Sequence, residues 1–167
     1  IASSARTGYW LGAGQPHRAR QAAGLGIRLA IGAAVLCAAA LLLGREAIAH
    51  AFTNDPMVAK TAMVWLAWVA LYHLADAVQA VCAFLLRCYR ITIAPLLIYT
   101  ACLWGFGLYG GYLWAYEDSA LSGWLLWTGR PGVDTFWISS SLALAAVSVL
   151  FAVLVWRASR PLPAHTT

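Results

Sequence analysis

Four long, almost uninterrupted apolar stretches, about 22–43, 61–86, 91–116 and 135–156, alternate with short segments that hold nearly all of the charge. An α-helix needs roughly 20 apolar residues to cross a bilayer, and each stretch is long enough. The first twelve residues carry two apolar clusters around Arg6 and read as the tail of a further helix. The pattern predicts an all-α, polytopic transmembrane bundle with about four full spans and the end of a fifth. A chain opening IASSARTGYW is expected to be a piece of something longer.

Turn signals divide the stretches. Gly12 to Arg20, GAGQPHRAR, is expected to be a turn in which the glycines end one helix and Pro16 starts the next. Residues 44–57 read as a loop containing His50 and the turn signal Asn54-Asp55-Pro56, and RCYR, 87–90, as a short turn. In the first full span, Gly26, Ala30, Ala34 and Ala38 recur every four residues, a stripe of small side chains that lets helices approach closely in lipid. The third span carries Pro95 early and Gly105, Gly107, Gly110 and Gly111 late, so a kink or break is expected there. Residues 117–134 form a second loop, with Trp124 and Trp127, and nearby Trp114, Tyr116 and Trp137, placed for an interfacial aromatic belt. PLPAHTT closes the chain without structure signals.

Composition agrees: 62% of residues are hydrophobic and 10% charged, against about 25% charged in soluble domains. The net charge of +5 does not call for nucleic acid, because topology explains it. With the 13–21 end cytoplasmic, Arg6, Arg18, Arg20, Arg28, Arg87, Arg90, Arg157 and Arg160 lie inside, and Arg45, Lys60 and Arg130 outside. That asymmetry is the positive-inside pattern, and it puts the C-terminus in the cytoplasm. Glu46, Asp55, Glu117, Asp118 and Asp134 fall outside. Arg28 is expected to snorkel to the interface.

Most motifs point to packing. Gly105 to Gly110 matches G-x-G-x-x-G, but that pattern binds dinucleotides at a strand-to-helix turn, and here it lies in a span. Cys37, Cys82, Cys88 and Cys102 fit no zinc or redox spacing and read as small buried residues. No nucleophile elbow, Walker loop or H-E-x-x-H occurs, so an enzyme is not expected.

Asp76 is different. It stands inside the second span, where a carboxylate costs about 2.5–3.5 kcal/mol, and an intramembrane acid is by default a functional-site candidate. Trp65, Trp68, Tyr72, Asp76 and Gln79 share one helix face at three- and four-residue steps, with His73 beside it. In a low-dielectric setting such a carboxylate can take up a proton. With a phenol and an amide as further oxygen ligands, it can instead hold a hard cation such as Na⁺. The aromatic faces suit organic cations. The structural alternative is an Asp76–His73 or Asp76–Tyr72 hydrogen bond that only fixes packing. His73 has no partner at metal-ligand spacing.

The segment YHLADAVQAVCAFLLR resembles the tenth helix of the multidrug and toxic compound extrusion (MATE) transporters, NorM type, which reads Tyr, then D-A-x-Q, then L-R-G. RTGYWLGAGQPHRARQAA is similar to that family's end of helix eight, GLYGGY to late helix eleven, and PGVDTFWISSSLAL to the start of helix twelve. The resemblance implies the C-terminal end of a 12-helix, two-lobe transporter, from the end of helix eight to helix twelve. It implies Na⁺- or H⁺-coupled antiport of cationic or amphipathic compounds across the plasma (inner) membrane. Asp76 and Tyr72 would contribute to the cation site, with Gln79 in support, and Trp65, Trp68 and His73 would line the substrate cavity. No cofactor is implied beyond the coupling ion, and no metal beyond Na⁺ at Asp76. The expected partners are membrane lipid, a small amphipathic or cationic substrate and the rest of the same chain, without nucleic acid. Departures from the family pattern are Phe84 and Cys88 at the glycines flanking L-R-G, Tyr109 for a helix-eleven proline, and Thr135 and Ser139 for helix-twelve glycines. The rival functions are a related flippase for lipid-linked precursors and a non-transporting membrane scaffold or assembly subunit.

Overall fold

The computed structural model describes residues 2–116 and 133–160. The chain folds into α1 (Ala2–Gly12), α2 (Pro16–Phe52), α3 (Pro56–Cys88), α4 (Ile93–Thr100), a π-helical segment (Ala101–Gly110), α5 (Gly111–Tyr116) and α6 (Val133–Ala158). Helix α2, helix α3, the run Ile93–Trp114 and α6 are each long and apolar enough to cross a membrane. This is an all-α, polytopic membrane bundle. The aromatic residues expected in the second loop, Trp124 and Trp127, and the C-terminal PLPAHTT lie outside the described residues.

The connections are shorter than the sequence suggested. The expected turn 12–20 is confined to residues 13–15, and Arg18 and Arg20 are already helical. The expected loop 44–57 shrinks to residues 53–55, and His50 sits exposed in the last turn of α2. Helix continuation past the apolar stretch has a physical reason: every added residue closes another backbone hydrogen bond, whereas an open loop leaves its groups to water. Helix α3 then starts cleanly. Pro56 occupies the first turn, and the Asp55 carboxylate accepts from Met57 N at 2.8 Å and Val58 N at 3.4 Å.

Two helix ends on the opposite side are closed by the same device. At α1, Gln15 N donates to Trp10 O at 2.9 Å and Gly14 N to Leu11 O at 3.1 Å, with Gly14 at φ +69°. At α3, Ile91 N donates to Leu86 O and Arg90 N to Arg87 O, both at 3.0 Å, with Arg90 at φ +59°. These are Schellman motifs, which pair the last carbonyls through a left-handed residue. Glycine takes that conformation freely at the first turn; at the second an arginine is held in it.

The helices pack in the order α1 and α2, then α3, then α6, then the α4–π–α5 run. Helix α6 is the centre: 39% of its apolar window is buried, against 11–22% for the other spans. The core gathers Ala23 of α2, Cys82, Leu85 and Leu86 of α3, and Val147, Phe151 and Val155 of α6. It lies toward the end where α3 finishes. In the small-residue stripe of α2, Gly26, Ala34 and Ala38 are buried and Ala30 is half-buried. A Cβ on Gly26 would meet the Ser3 side chain at 2.5 Å, so only glycine lets α1 come this close. The eight arginines assigned to one side of the membrane lie in α1 (Arg6), in the first third of α2 (Arg18, Arg20, Arg28) and at the ends of α3 (Arg87, Arg90) and α6 (Arg157, Arg160). Tyr89 is half-buried, and its buried hydroxyl has no hydrogen-bond partner among the described residues. Burial and Cys88 raise the pKa of that phenol, with Arg20 opposing.

The expected kink in the third span is the π-helical segment, ten residues of wider helix over the glycine cluster. The glycines divide into two kinds. A Cβ on Gly105 would meet nothing within 4 Å, so this glycine makes no close contact. Gly107 faces α6, where a Cβ would lie 3.3 Å from Ala143 Cβ and 3.6 Å from Ser140 Cα, and a Cβ on Gly111 would overlap Ser139 Oγ. Buried Ser139 donates to Gly107 O at 2.8 Å, with Phe136 O of its own helix at 3.1 Å. A hydroxyl from a neighbouring helix thus supports an irregular backbone in a span, as membrane interiors require.

A glycine substitution series separates these roles. In the full-length protein, Gly111→Ala is expected to destabilise by about 1–3 kcal/mol, as overpacking does. Gly105→Ala should be neutral or stabilising by about 0.5 kcal/mol. The Gly111→Ala penalty should shrink in a Ser139→Ala background, where the obstructing hydroxyl is gone. Denaturation in mixed micelles reads all three; additive effects of the Gly111 and Ser139 changes would refute the contact.

Candidate functional site

Asp76 lies inside α3, about 18 Å along the axis from its C-terminal end. Its side chain is exposed, while Trp65, Trp68, Tyr72, His73 and Gln79 are half-buried. The carboxylate has no hydrogen-bond or ion-pair partner among the described residues, so neither of the packing hydrogen bonds to His73 and Tyr72 is formed. Exposure here is not hydration by default. In a span, an exposed carboxylate faces lipid, a water-filled cavity or another helix, and the first of these is strongly disfavoured.

Two residues of the α3 face line separate recesses, Tyr72 one and Gln79 the other; Trp65, Trp68, His73 and Asp76 line neither of them. Trp137, from the first turns of α6, takes both Trp65 and Tyr72: its ring centroid is 5.9 Å from Trp65, tilted by 40°, and 6.3 Å from Tyr72, edge-on at 80°. Such aromatic pairs add about 0.5–1.5 kcal/mol beyond the area they bury. Tyr72 and Trp137 line a recess of about 530 Å³ together with Val69, Phe136 and Ser140. Gln79 opens instead into a recess of about 320 Å³ whose walls include Arg87, Pro95 and Tyr99. Tyr72 lies within electrostatic reach of both Asp76 and Tyr99, and Tyr99 of α4 lines the Gln79 recess. Trp68 and His73 show no ring contact or hydrogen bond among the described residues, and they do not join the Trp137 cluster.

Chemically, the arrangement offers one ionisable oxygen ligand beside a phenol, next to an aromatic hollow. Asp76, Tyr72 and Gln79 follow each other at about one helical turn, where Cβ atoms stand about 5–6 Å apart. Three side chains from one helix face cannot close the shell of a hard cation, so further oxygens must come from other helices or water. Among the described residues no group of three His, Cys, Asp or Glu side chains converges on one point. The sequence reading missed Trp137, Tyr99 and Ser140. Trp137 carries the signal of an interfacial tryptophan, because a Trp near a span end looks the same whether it meets headgroups or a neighbouring helix. Tyr99 lies in a different apolar stretch, and no spacing along the chain links it to Tyr72.

Comparison with known proteins bears on the same region. The profile of the MatE family matches residues 1–113. A probable multidrug resistance protein NorM of Aromatoleum aromaticum is 35% identical over 155 residues, covering 93% of this chain and 32% of the relative. Multidrug resistance protein PmpM of Pseudomonas aeruginosa is 32% identical over 161 residues, covering 96% of this chain and 32% of the relative. Multidrug resistance protein MdtK of Pectobacterium atrosepticum is 33% identical over 150 residues, covering 90% and 31%. The chain spans about a third of the length of these relatives. The matched segment, residues 1–113, is more than half of the sequence: the chain belongs to the MatE family.

Proposed function

We propose that this chain supplies part of the second lobe of a Na⁺- or H⁺-coupled antiporter that exports cationic and amphipathic compounds. The observation that carries the reading is Asp76: a carboxylate inside a span, exposed and without a hydrogen-bond or ion-pair partner among the described residues, one helical turn from Tyr72, which lines the aromatic recess. A buried carboxylate with a fixed partner would be a packing element. One left open, at a cost that only function repays, can exchange a cation or proton for a substrate. The multidrug-resistance names of the relatives support efflux. Asp76 and Tyr72 bind the coupling ion, with Gln79 contributing from the adjoining recess. Trp65, Trp137 and Tyr72 offer π faces to a cationic substrate. The protein lies in the plasma (inner) membrane with the arginine-rich end, and so the C-terminus, in the cytoplasm.

Two experiments test this. In the full-length protein, Asp76→Asn keeps size and hydrogen bonding but removes the ionisable group. It is expected to leave insertion intact and to reduce ion-driven efflux of a lipophilic cation to background, whereas Tyr72→Phe should lose only part of the rate. Normal ion-coupled efflux by a well-expressed Asn variant would refute the role of Asp76. Orientation is read by thiol labelling in intact cells lacking the native cysteines: a Cys at Asn54, in the three-residue turn before α3, should be modified by an impermeant reagent, and one at Thr92, after α3, should not. The reverse labelling would overturn the orientation.

A further inference from the structure

The arginine-rich end of the bundle contains a hollow separate from the recesses along α3. It lies between the first turns of α2 and the last turns of α6 and measures about 400 Å³. Arg20, Arg28, His17 and Gln21 line it from α2, and Trp156 and Ser159 from α6. Arg160 stacks over the Trp156 ring at 3.5 Å, which brings a further guanidinium to the rim. Arg28 Nε donates only to Gly24 O of its own helix at 3.3 Å, and Arg20 has no hydrogen-bond or ion-pair partner among the described residues. The described carboxylates are remote: Glu46 is about 27 Å of helix beyond Arg28, and Asp76 is about 18 Å up α3. The first amides of α2 add to the positive field, because its N-cap Gln15 makes no side-chain cap.

The floor of the hollow is apolar. Ile27 and Val155 form it, and Ile31 and Val35 continue the same α2 stripe away from the arginines as exposed residues, 42% and 50% accessible. A cationic rim above an apolar track fits an amphiphile whose phosphate sits among guanidiniums and whose acyl chain lies along the helix. We propose that this hollow binds the headgroup of an anionic phospholipid, held by Arg20 and Arg28 with Arg160 at the rim. The apolar track favours a lipid over a free phosphate, which has nothing to place on Ile31 and Val35. The site lies far from Asp76 and stands independently of the transport reading.

The test uses the full-length protein and native mass spectrometry with added phosphatidylglycerol. The unaltered protein should retain a phosphatidylglycerol adduct and not the zwitterionic phosphatidylethanolamine. Arg20→Gln with Arg28→Gln should lower retention at least about fivefold, as loss of charge-assisted phosphate contacts requires. Arg45→Gln, at the other end of α2, should leave it unchanged. Equal retention of the two lipids, or equal loss with Arg45→Gln, would overturn the proposal. Displacement of the lipid by an equal concentration of glycerol phosphate would make the ligand a free phosphate and overturn the lipid assignment. A phosphatidylglycerol with a photoactivatable acyl chain needs no variant: cross-links should concentrate on the 27–35 segment of α2 and on the end of α6, and an even spread over the helices would refute the site.

Discussion

Inside a bilayer no water is available to satisfy backbone amides and carbonyls, and nearly everything else in this fold depends on that constraint. It explains why the polypeptide is helix almost from turn to turn, why the connections at 13–15 and 53–55 are only three residues long, and why helix ends close with internal hydrogen bonds. It also explains the one irregular stretch among the described residues. The π-helical segment sits against α6, where the Ser139 hydroxyl reaches the Gly107 carbonyl, so the distorted backbone is supported by protein rather than left facing lipid.

The second requirement is close approach without a strong hydrophobic drive between helices. Lipid tails are as apolar as leucine, so association rests on packing and on a few polar contacts. The structure meets it at particular points: Gly26 against Ser3, Gly107 against Ala143 and Gly111 against Ser139. The Ser139 side chain fits because the opposite residue, Gly111, has none, and its hydroxyl donates to the Gly107 carbonyl.

Polar groups are then distributed by position. Arginines collect at one end of the bundle, where they can meet headgroups and a phospholipid phosphate. The intramembrane carboxylate, Asp76, is exposed and has no ion-pair partner among the described residues; it stands one turn from Tyr72 of the aromatic hollow, outside the core of Cys82, Leu85, Leu86 and Phe151. Close packing at one end and a polar face further along α3 are consistent with the proposed transport role.

The sequence by itself determined the number of spans, the fold class, the arginine asymmetry, the α2 small-residue stripe and the family, because each is written in local composition, periodicity or short motifs. It also singled out Asp76, since a charge among apolar residues stands out without any structure. Helix ends were less legible: Arg45, Glu46 and His50 look like loop residues, yet helix continues through them. Only the tertiary structure decided which glycine of the 105–111 cluster is required, because that depends on which atom of α6 lies opposite. Likewise, only packing of α6 against α3 brings Trp137 onto Trp65 and Tyr72, and only packing of α6 near α2 sets Arg20 and Arg28 in one hollow with Trp156. These contacts join residues far apart in the chain, and no local pattern encodes the distance between them.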